Sequence, residues 1–314
     1  MRTTTIALIF SLAMSVVAQN TNSYFPQKMY EQTPNGGISF DVSKFDLSSL
    51  KNCKALIKQL KKKDSLSQYE ELRTLYAIAA CYDKLKKHDS TIYYLNKLMN
   101  IIEDDRYILV GNDFNNLKAD SLKWQQIANR IEQSYLQLLK DNMDKELALK
   151  VFYLAIRFLR TMEYEEYSEQ EQIPIEMEKI VDKQGLPLYS KVGNFASFYA
   201  ARILWDSKKL PQYYPLIEDA FFKEEMIDTV LFMKITDRYM TRFMKKNQIY
   251  GTIFTSRGGS KEFILEPIES IDAVNKARRE IGVTETLEEY AKKNRYLGYV
   301  IPEKYYEMQK KENE

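Results

Sequence analysis

Residues 68–99 read QYEELRTLYAIAACYDKLKKHDSTIYYLNKLM. Tyr69, Leu72, Leu75, Tyr76, Ala79 and Ala80, followed by Tyr82 and Leu85, recur at intervals of three and four, the period of one helix face. The polar run Lys86-Lys87-His88-Asp89 interrupts them, and Asp89 or Ser90 can cap a second helix. Ile92, Tyr93, Leu95, Leu98 and Met99 then resume the period. Two amphipathic helices joined by a short polar turn make a helical hairpin, so the fold class is expected to be mainly α.

The same period extends outward on both sides. Leu50, Cys53, Leu56, Ile57 and Leu60 mark a preceding helix that Asp46 or Ser48 can cap. A long helix is expected over Leu122–Leu139, an interruption at Asp141-Asn142-Met143-Asp144, and a strongly apolar helix over Lys145–Tyr164. A helix over Ile175–Lys183 ends at Gly185-Leu186-Pro187; Gly193 opens another through Phe195, Tyr199, Ile203 and Leu204. Tyr213–Phe222 and Thr229–Met244 continue the pattern. Ile249–Thr255 then alternates with period two, Arg257-Gly258-Gly259-Ser260 reads as a turn, and Glu262–Leu265 pairs back, so one small β-hairpin is expected at 249–265. A helix over Ile271–Gly282 stops at glycine, and Thr286 caps the last one. The organisation read from this is a helical module over 46–140, a C-terminal helical domain over 145–300 and a polar tail over 301–314.

The N-terminus carries a different signal. Arg2, the apolar run Ile6–Val17 broken only by Ser11 and Ser15, and small or β-branched Val16-Val17-Ala18 before Gln19 read as a secretory signal peptide over 1–18. The run is about a dozen residues where a membrane span needs ~20. An exported, periplasmic or extracellular protein is expected, with residues 19–45 as an extended lead-in and Thr33-Pro34-Asn35-Gly36-Gly37 as a turn.

Composition narrows the function classes. Hydrophobic residues are 45% and charged residues 29%, the balance of a chain that folds. Glycine (10) and proline (8) are scarce, which favours helices. A net charge of +2 offers no electrostatic footprint for nucleic acid. Basic Lys58–Lys63 is local and sits at a helix end, where cations complement the dipole. The 23 tyrosines suit packing and ligand surfaces equally. The pairs Tyr93-Tyr94, Tyr213-Tyr214 and Tyr305-Tyr306 are expected to place one ring each at the surface. Cys53 and Cys81 lie in neighbouring helices; export permits a disulfide between them, and two buried free thiols are the alternative. The single histidine, His88, cannot complete a metal site with them, so no metal and no cofactor is expected.

The segment Tyr76-Ala77-x-Ala79-Ala80-Cys81-Tyr82…Asp89-Ser90-x-Ile92-x-x-Leu95 resembles a tetratricopeptide-type hairpin. Asp113-Phe114-Asn115-Asn116-Leu117…Asp120…Trp124…Ile127 is similar to the tail that closes such units in exported bacterial proteins, with Gly111 where that pattern begins with Asp. The resemblance implies a capping turn in which Phe114, Leu117 and Trp124 cover the open end. One good repeat, with a partial one at 48–62, makes a small module rather than a solenoid.

Further on, Thr236-Asp237-Arg238, Tyr250-Gly251-Thr252, Pro267-Ile268-Glu269, Val274, Arg278, Gly282, Leu287 and Tyr290 resemble, in order and spacing, the C-terminal signature of a bacterial exported family of unknown function. That likeness covers about residues 176–291. Two departures stand out: Ile253 where many members have Gln, and Ile203-Leu204-Trp205-Asp206 where many carry Gln-His. The resemblance implies a domain and no activity.

Its residues, Asp237, Arg238, Tyr250, Gly251, Thr252, Glu269 and Arg278, are the candidate binding or structural set. Asp237 and Arg238 can form a carboxylate–guanidinium pair that positions the hairpin; Gly251 allows a bend; Tyr250 and Thr252 share a strand face and can meet Arg278; Glu269 either caps the 271–282 helix or serves as an acid. No Ser-His-Asp or Cys-His arrangement, zinc spacing, P-loop or Gly-x-Gly-x-x-Gly is present, and the C-terminal domain has no histidine. A non-catalytic interaction module that binds another protein or peptide is the leading expectation. A glycan- or peptide-binding protein, and a hydrolase using Asp237, Glu269 and Tyr250, are the alternatives.

Overall fold

The computed structural model describes residues 31–32, 38–39, 50–60, 68–101, 105–111, 113–164, 167–226, 228–256, 262–294 and 298–312. The signal peptide expected over 1–18, most of the 19–45 lead-in, the caps Asp46 and Ser48 and the turn at 257–260 lie outside them. The architecture is mainly α with a small β-hairpin, as the periodicity predicts. Two short strands, β1 (Glu31–Gln32) and β2 (Ile38–Ser39), pair antiparallel. Among the described residues no helix is long and apolar enough to cross a membrane.

Contacts divide the chain into two compact units. The first comprises Tyr24–Met177 with Lys191–Ala196, and the second includes Glu178–Ser190 with Ser197–Glu314. In the first unit, α1 (Leu50–Leu60) packs Cys53 and Ile57 on Ala77, Ile78 and Cys81 of α2 (Gln68–Lys84). Ala77, Ala79 and Ala80 are buried, Ala77 and Ala80 on one face and Ala79 on another, so α2 presents almost no side chain to its neighbours there. The turn into α3 (His88–Met99) closes with Lys86 N–H on Asp83 C=O and Lys87 N–H on Tyr82 C=O, and Lys86 takes φ 55° there. No side chain caps α3, contrary to the Asp89 or Ser90 expectation; its N-cap position is Lys87.

Short α4 (Tyr107–Val110) and α5 (Asn115–Ala119) follow, then α6 (Ser121–Gln137). Phe114 and Leu117 are fully buried, with Phe114 edge-on to Tyr76. Buried Asp83 holds this turn: its carboxylate accepts the N–H groups of Asn116 and Leu117 at 3.0 and 2.7 Å, supplying the orphan donors of α5. Asp120 caps α6 through Lys123 N–H, and His88 Nδ1 lies 3.2 Å from the same carboxylate. Helix α7 (Lys145–Tyr164) matches its expected bounds; its Phe152 stacks on Tyr135 of α6 at 4.7 Å. That shared core groups α7 with α6, so the break expected at 140–145 is a turn inside this unit. A short α8 (Tyr167–Gln170) follows, whose Glu169 pairs with Arg157.

Helices α9 (Gln172–Gln184) and α10 (Tyr189–Trp205) contribute residues to both units. Gly193 kinks α10 at φ 79°; a Cβ there would sit 2.7 Å from Leu139 Cδ2. The second unit continues with α11 (Leu210–Phe222) and α12 (Thr229–Arg238), which runs into a π-helical turn over Tyr239–Phe243. Strands β3 (Phe254–Ser256) and β4 (Phe263–Leu265) form the hairpin, pairing Phe254 with Leu265 and Ser256 with Phe263. Strand β5 (Tyr299–Val300), unforeseen, adds parallel to β4. Then come α13 (Ile271–Glu280), α14 (Leu287–Lys293) and α15 (Glu303–Glu312). The 301–314 stretch, read from its polarity as a tail, therefore holds a helix, and Ile301 and Tyr305 are buried with Phe254, Leu265, Ile268, Ile271, Val274 and Leu287.

Candidate functional site

The candidate residues gather around the junction of α12, the 248–252 loop and α13. Asp237 lies in the last turn of α12, a position the helix dipole disfavours for an anion. It is fully buried. Its Oδ1 accepts the N–H groups of Ile249 and Tyr250 at 2.7 and 2.8 Å; its Oδ2 accepts the N–H and hydroxyl of Thr252, both at 2.8 Å. Burial pushes the carboxyl's pKa up, and these four donors pull against it by solvating the ionised form.

This arrangement corrects two expectations. Asp237 does not pair with Arg238: the carboxylate turns to the loop, and Arg238 makes its ion pair with Asp206, 3.8 Å away. Residues 249–253 are not strand; the N–H groups a ladder would use are spent on Asp237, and the strand starts at Phe254. Gln248 finishes the loop, donating to Ile253 C=O and Glu266 C=O while accepting from Ile253 N–H.

Arg278, on α13, is also fully buried. Its Nε donates to Tyr250 C=O at 2.9 Å, and Nη1 donates to Glu285 C=O and Thr286 C=O at 3.0 and 3.3 Å. The guanidinium lies 5.0 Å from the Tyr290 ring centroid, with the Glu285 carboxylate 4.0 Å away. Burial pushes its pKa down, opposed mainly by Glu285. Gly251 takes φ 65°, and a Cβ there would sit 2.7 Å from Leu287 Cδ1 and 3.3 Å from Val274 Cγ1. Arg278 also starts the C-terminal closure of α13: Val283 N–H bonds Arg278 C=O and Gly282 N–H bonds Arg279 C=O, the 6→1 and 5→2 bonds of a glycine-terminated helix.

Glu269 stands apart. It is exposed and caps nothing; the cap of α13 is Ser270, whose hydroxyl accepts Ala273 N–H. Glu269 instead borders an open pocket of about 560 Å³. Met240, Ile249, Ala273, Val274 and Ala277 give it an apolar lining, with Lys246 and Glu269 among its charged residues. The Asp237 grip on Ile249 fixes one wall.

The tyrosine pairs divide. Tyr93 is 53% exposed, but Tyr213 and Tyr214 are both buried, because each hydroxyl finds a partner: Asp182 for Tyr213, Glu218 and Thr236 for Tyr214. Cys53 and Cys81 are free thiols, fully buried and in contact. Among the described residues no group of three His, Cys, Asp or Glu side chains is placed to hold a metal.

Sequence reading passed over Arg202 and named Trp205 and Asp206 only as a departure from the Gln-His pattern, yet all three lie near Arg238. Arg202 lies 4.1 Å from the Trp205 ring centroid and Arg238 lies 5.7 Å from it. The i, i+3, i+4 spacing on α10 placed the three on one face, but nothing in it pointed to α12. No family model, curated protein or solved structure matches the chain.

Proposed function

We propose that this is an exported, non-catalytic interaction module whose partner is another protein or peptide. The observation that carries the reading is the saturation of Asp237. Its two oxygens take four hydrogen bonds from its own chain and it has no exposed surface, so it has no face to offer a substrate. Arg278 and Tyr250 are buried in the same knot, and Glu269 faces the open pocket without a second acid of the set beside it. A carboxylate pair for glycosidic hydrolysis needs both groups on one open face. The tetratricopeptide-like hairpin of α2 and α3, with Tyr93 and Lys97 stacked on its outer side at 5.1 Å, is the partner surface.

A second reading, a peptide- or glycan-binding protein, draws on the pocket beside Glu269, whose apolar lining and opposite charges suit a short peptide. The test is affinity capture followed by cross-linking that maps the contact. Cross-links on 68–137 support the scaffold reading, and cross-links around Lys246 support the second. Turnover of a peptide or glycan panel, abolished by Asp237→Asn in a variant that still folds, would overturn both.

A further inference from the structure

We infer that Arg202, Trp205 and Arg238 form a binding site for a small oxyanion of the carboxylate or phosphate type. Arg202, Trp205 and Asp206 fall at i, i+3 and i+4 on the last turn of α10, and Lys234 and Arg238 at i and i+4 on α12. Asp206 bonds Arg202 at 2.9 Å; its 3.8 Å approach to Arg238 is an ion pair too long for a hydrogen bond. Two N–H donors at the centre are buried and have no acceptor: Trp205 Nε1 and Arg238 Nε. An unmet buried donor costs ~1–3 kcal/mol. Two of them on neighbouring side chains mark a place where oxygen lone pairs belong.

The charges point the same way. Arg202, Lys234 and Arg238 supply three cations, with Asp206 and Asp228 beside them, and Asp228 also caps α12. Burial pushes Lys234 down, and the Arg202 charge pushes it further. The bland account is that Arg202 and Arg238 are cations at helix C-termini, where the dipole favours them. That explains the positions and leaves the two N–H groups unexplained. A bound oxyanion accepts from both and adds negative charge beside the cations. Arg238 is 33% and Asp206 36% exposed, so the edge of the cluster reaches solvent just outside the two buried donors.

The test uses the chain's two tryptophans, Trp124 and Trp205. Indole N–H resonances of the full chain, assigned with Trp205→Phe, are followed while phosphate, acetate or chloride is added at constant ionic strength. The expected result is a saturable downfield shift of the Trp205 indole with phosphate or acetate and none with chloride, while Trp124 stays put. Whichever of the two binds at least ten-fold tighter identifies the ligand class. Arg238→Gln is expected to remove saturation. If that variant does not fold, Arg238→Lys keeps the charge but lacks Nε–H and is expected to weaken binding several-fold. A Trp205 indole that does not move, that moves equally with chloride, or that titrates unchanged in Arg238→Lys overturns the inference.

Discussion

Asp237 and Arg278 hold opposite ends of one residue: Asp237 accepts the N–H of Tyr250 at 2.8 Å, and Arg278 donates to the C=O of the same residue at 2.9 Å. Two fully buried, oppositely charged groups are therefore joined through a backbone unit rather than by direct contact. Asp237 is solvated by three backbone N–H groups and the Thr252 hydroxyl, and Arg278 by three backbone C=O groups with Nη2 left unmet, which is how charge is tolerated in the interior. The loop between them is held in one shape from both sides.

Removing the acid exposes what it was doing. Asp237→Ala leaves three backbone N–H groups and the Thr252 hydroxyl without their acceptor, and leaves Arg278 with less compensating charge. A loss of about 3–5 kcal/mol in unfolding free energy is expected. Asp237→Asn keeps one acceptor oxygen but turns an NH2 toward donors, so it recovers part of that loss at most. Urea denaturation of the three proteins checks the order. An Asp237→Ala variant as stable as the parent removes the clamp from the account.

A double-mutant cycle tests the link through Tyr250. Asp237→Asn and Arg278→Met each free the loop, so the second change costs less once the first is made. A coupling of ~1–2 kcal/mol is expected, within the range for residues of one network. Additive losses would mean that the two charges act independently despite sharing Tyr250.

How much of this was legible depends on the range of the cause. Helix α7 could be read to its ends, because Leu147, Val151, Leu154, Ala155, Phe158 and Leu159 keep helical spacing and Asp144 caps it through Leu147 N–H. The β3–β4 hairpin was legible from alternation. The same alternation misled at Ile249–Ile253, because the N–H groups of Ile249, Tyr250 and Thr252 are claimed by Asp237, 12 to 15 residues away, and that of Ile253 by Gln248. Tyr213 and Tyr214 broke the surface expectation for the same kind of reason: Asp182 and Thr236 lie on other helices. The Arg202–Trp205–Arg238 cluster joins residues more than 30 positions apart on two helices, and no local period encodes that.

Gly251 predicts a steric and a conformational penalty together. Alanine at φ 65° pays the left-handed cost, about 1–2 kcal/mol, and its Cβ would meet Leu287 Cδ1 at 2.7 Å in a packed core. Gly251→Ala is expected to lose ~2–4 kcal/mol. Adding Leu287→Ala removes the clash, so the double variant should be more stable than the sum of the single losses predicts. Simple additivity in thermal melts would show that Leu287 is not what Gly251 accommodates.

Cys53 and Cys81 give the last prediction. Both thiols are fully buried in one core cluster, and burial, with Cys53 beside it, holds the Cys81 pKa well above the ordinary range. Neither is a ready nucleophile in the folded chain, so exchange must pass through opening of α1 from α2 or through the unfolded chain. Refolding in the presence of glutathione disulfide is expected to close the pair, each bridge releasing two reduced glutathiones and lowering the intact mass by two hydrogens. The bridge ties α1 to α2 across a 53–81 loop and is expected to add about 3.6 kcal/mol by the chain-entropy account. The native thiol form, given the same oxidant without unfolding, should react far more slowly. Equal rates in the two protocols would place the thiols at the surface. A refolded chain that keeps both thiols would mean that α1 and α2 hold the sulfurs in contact without a geometry that bonds them.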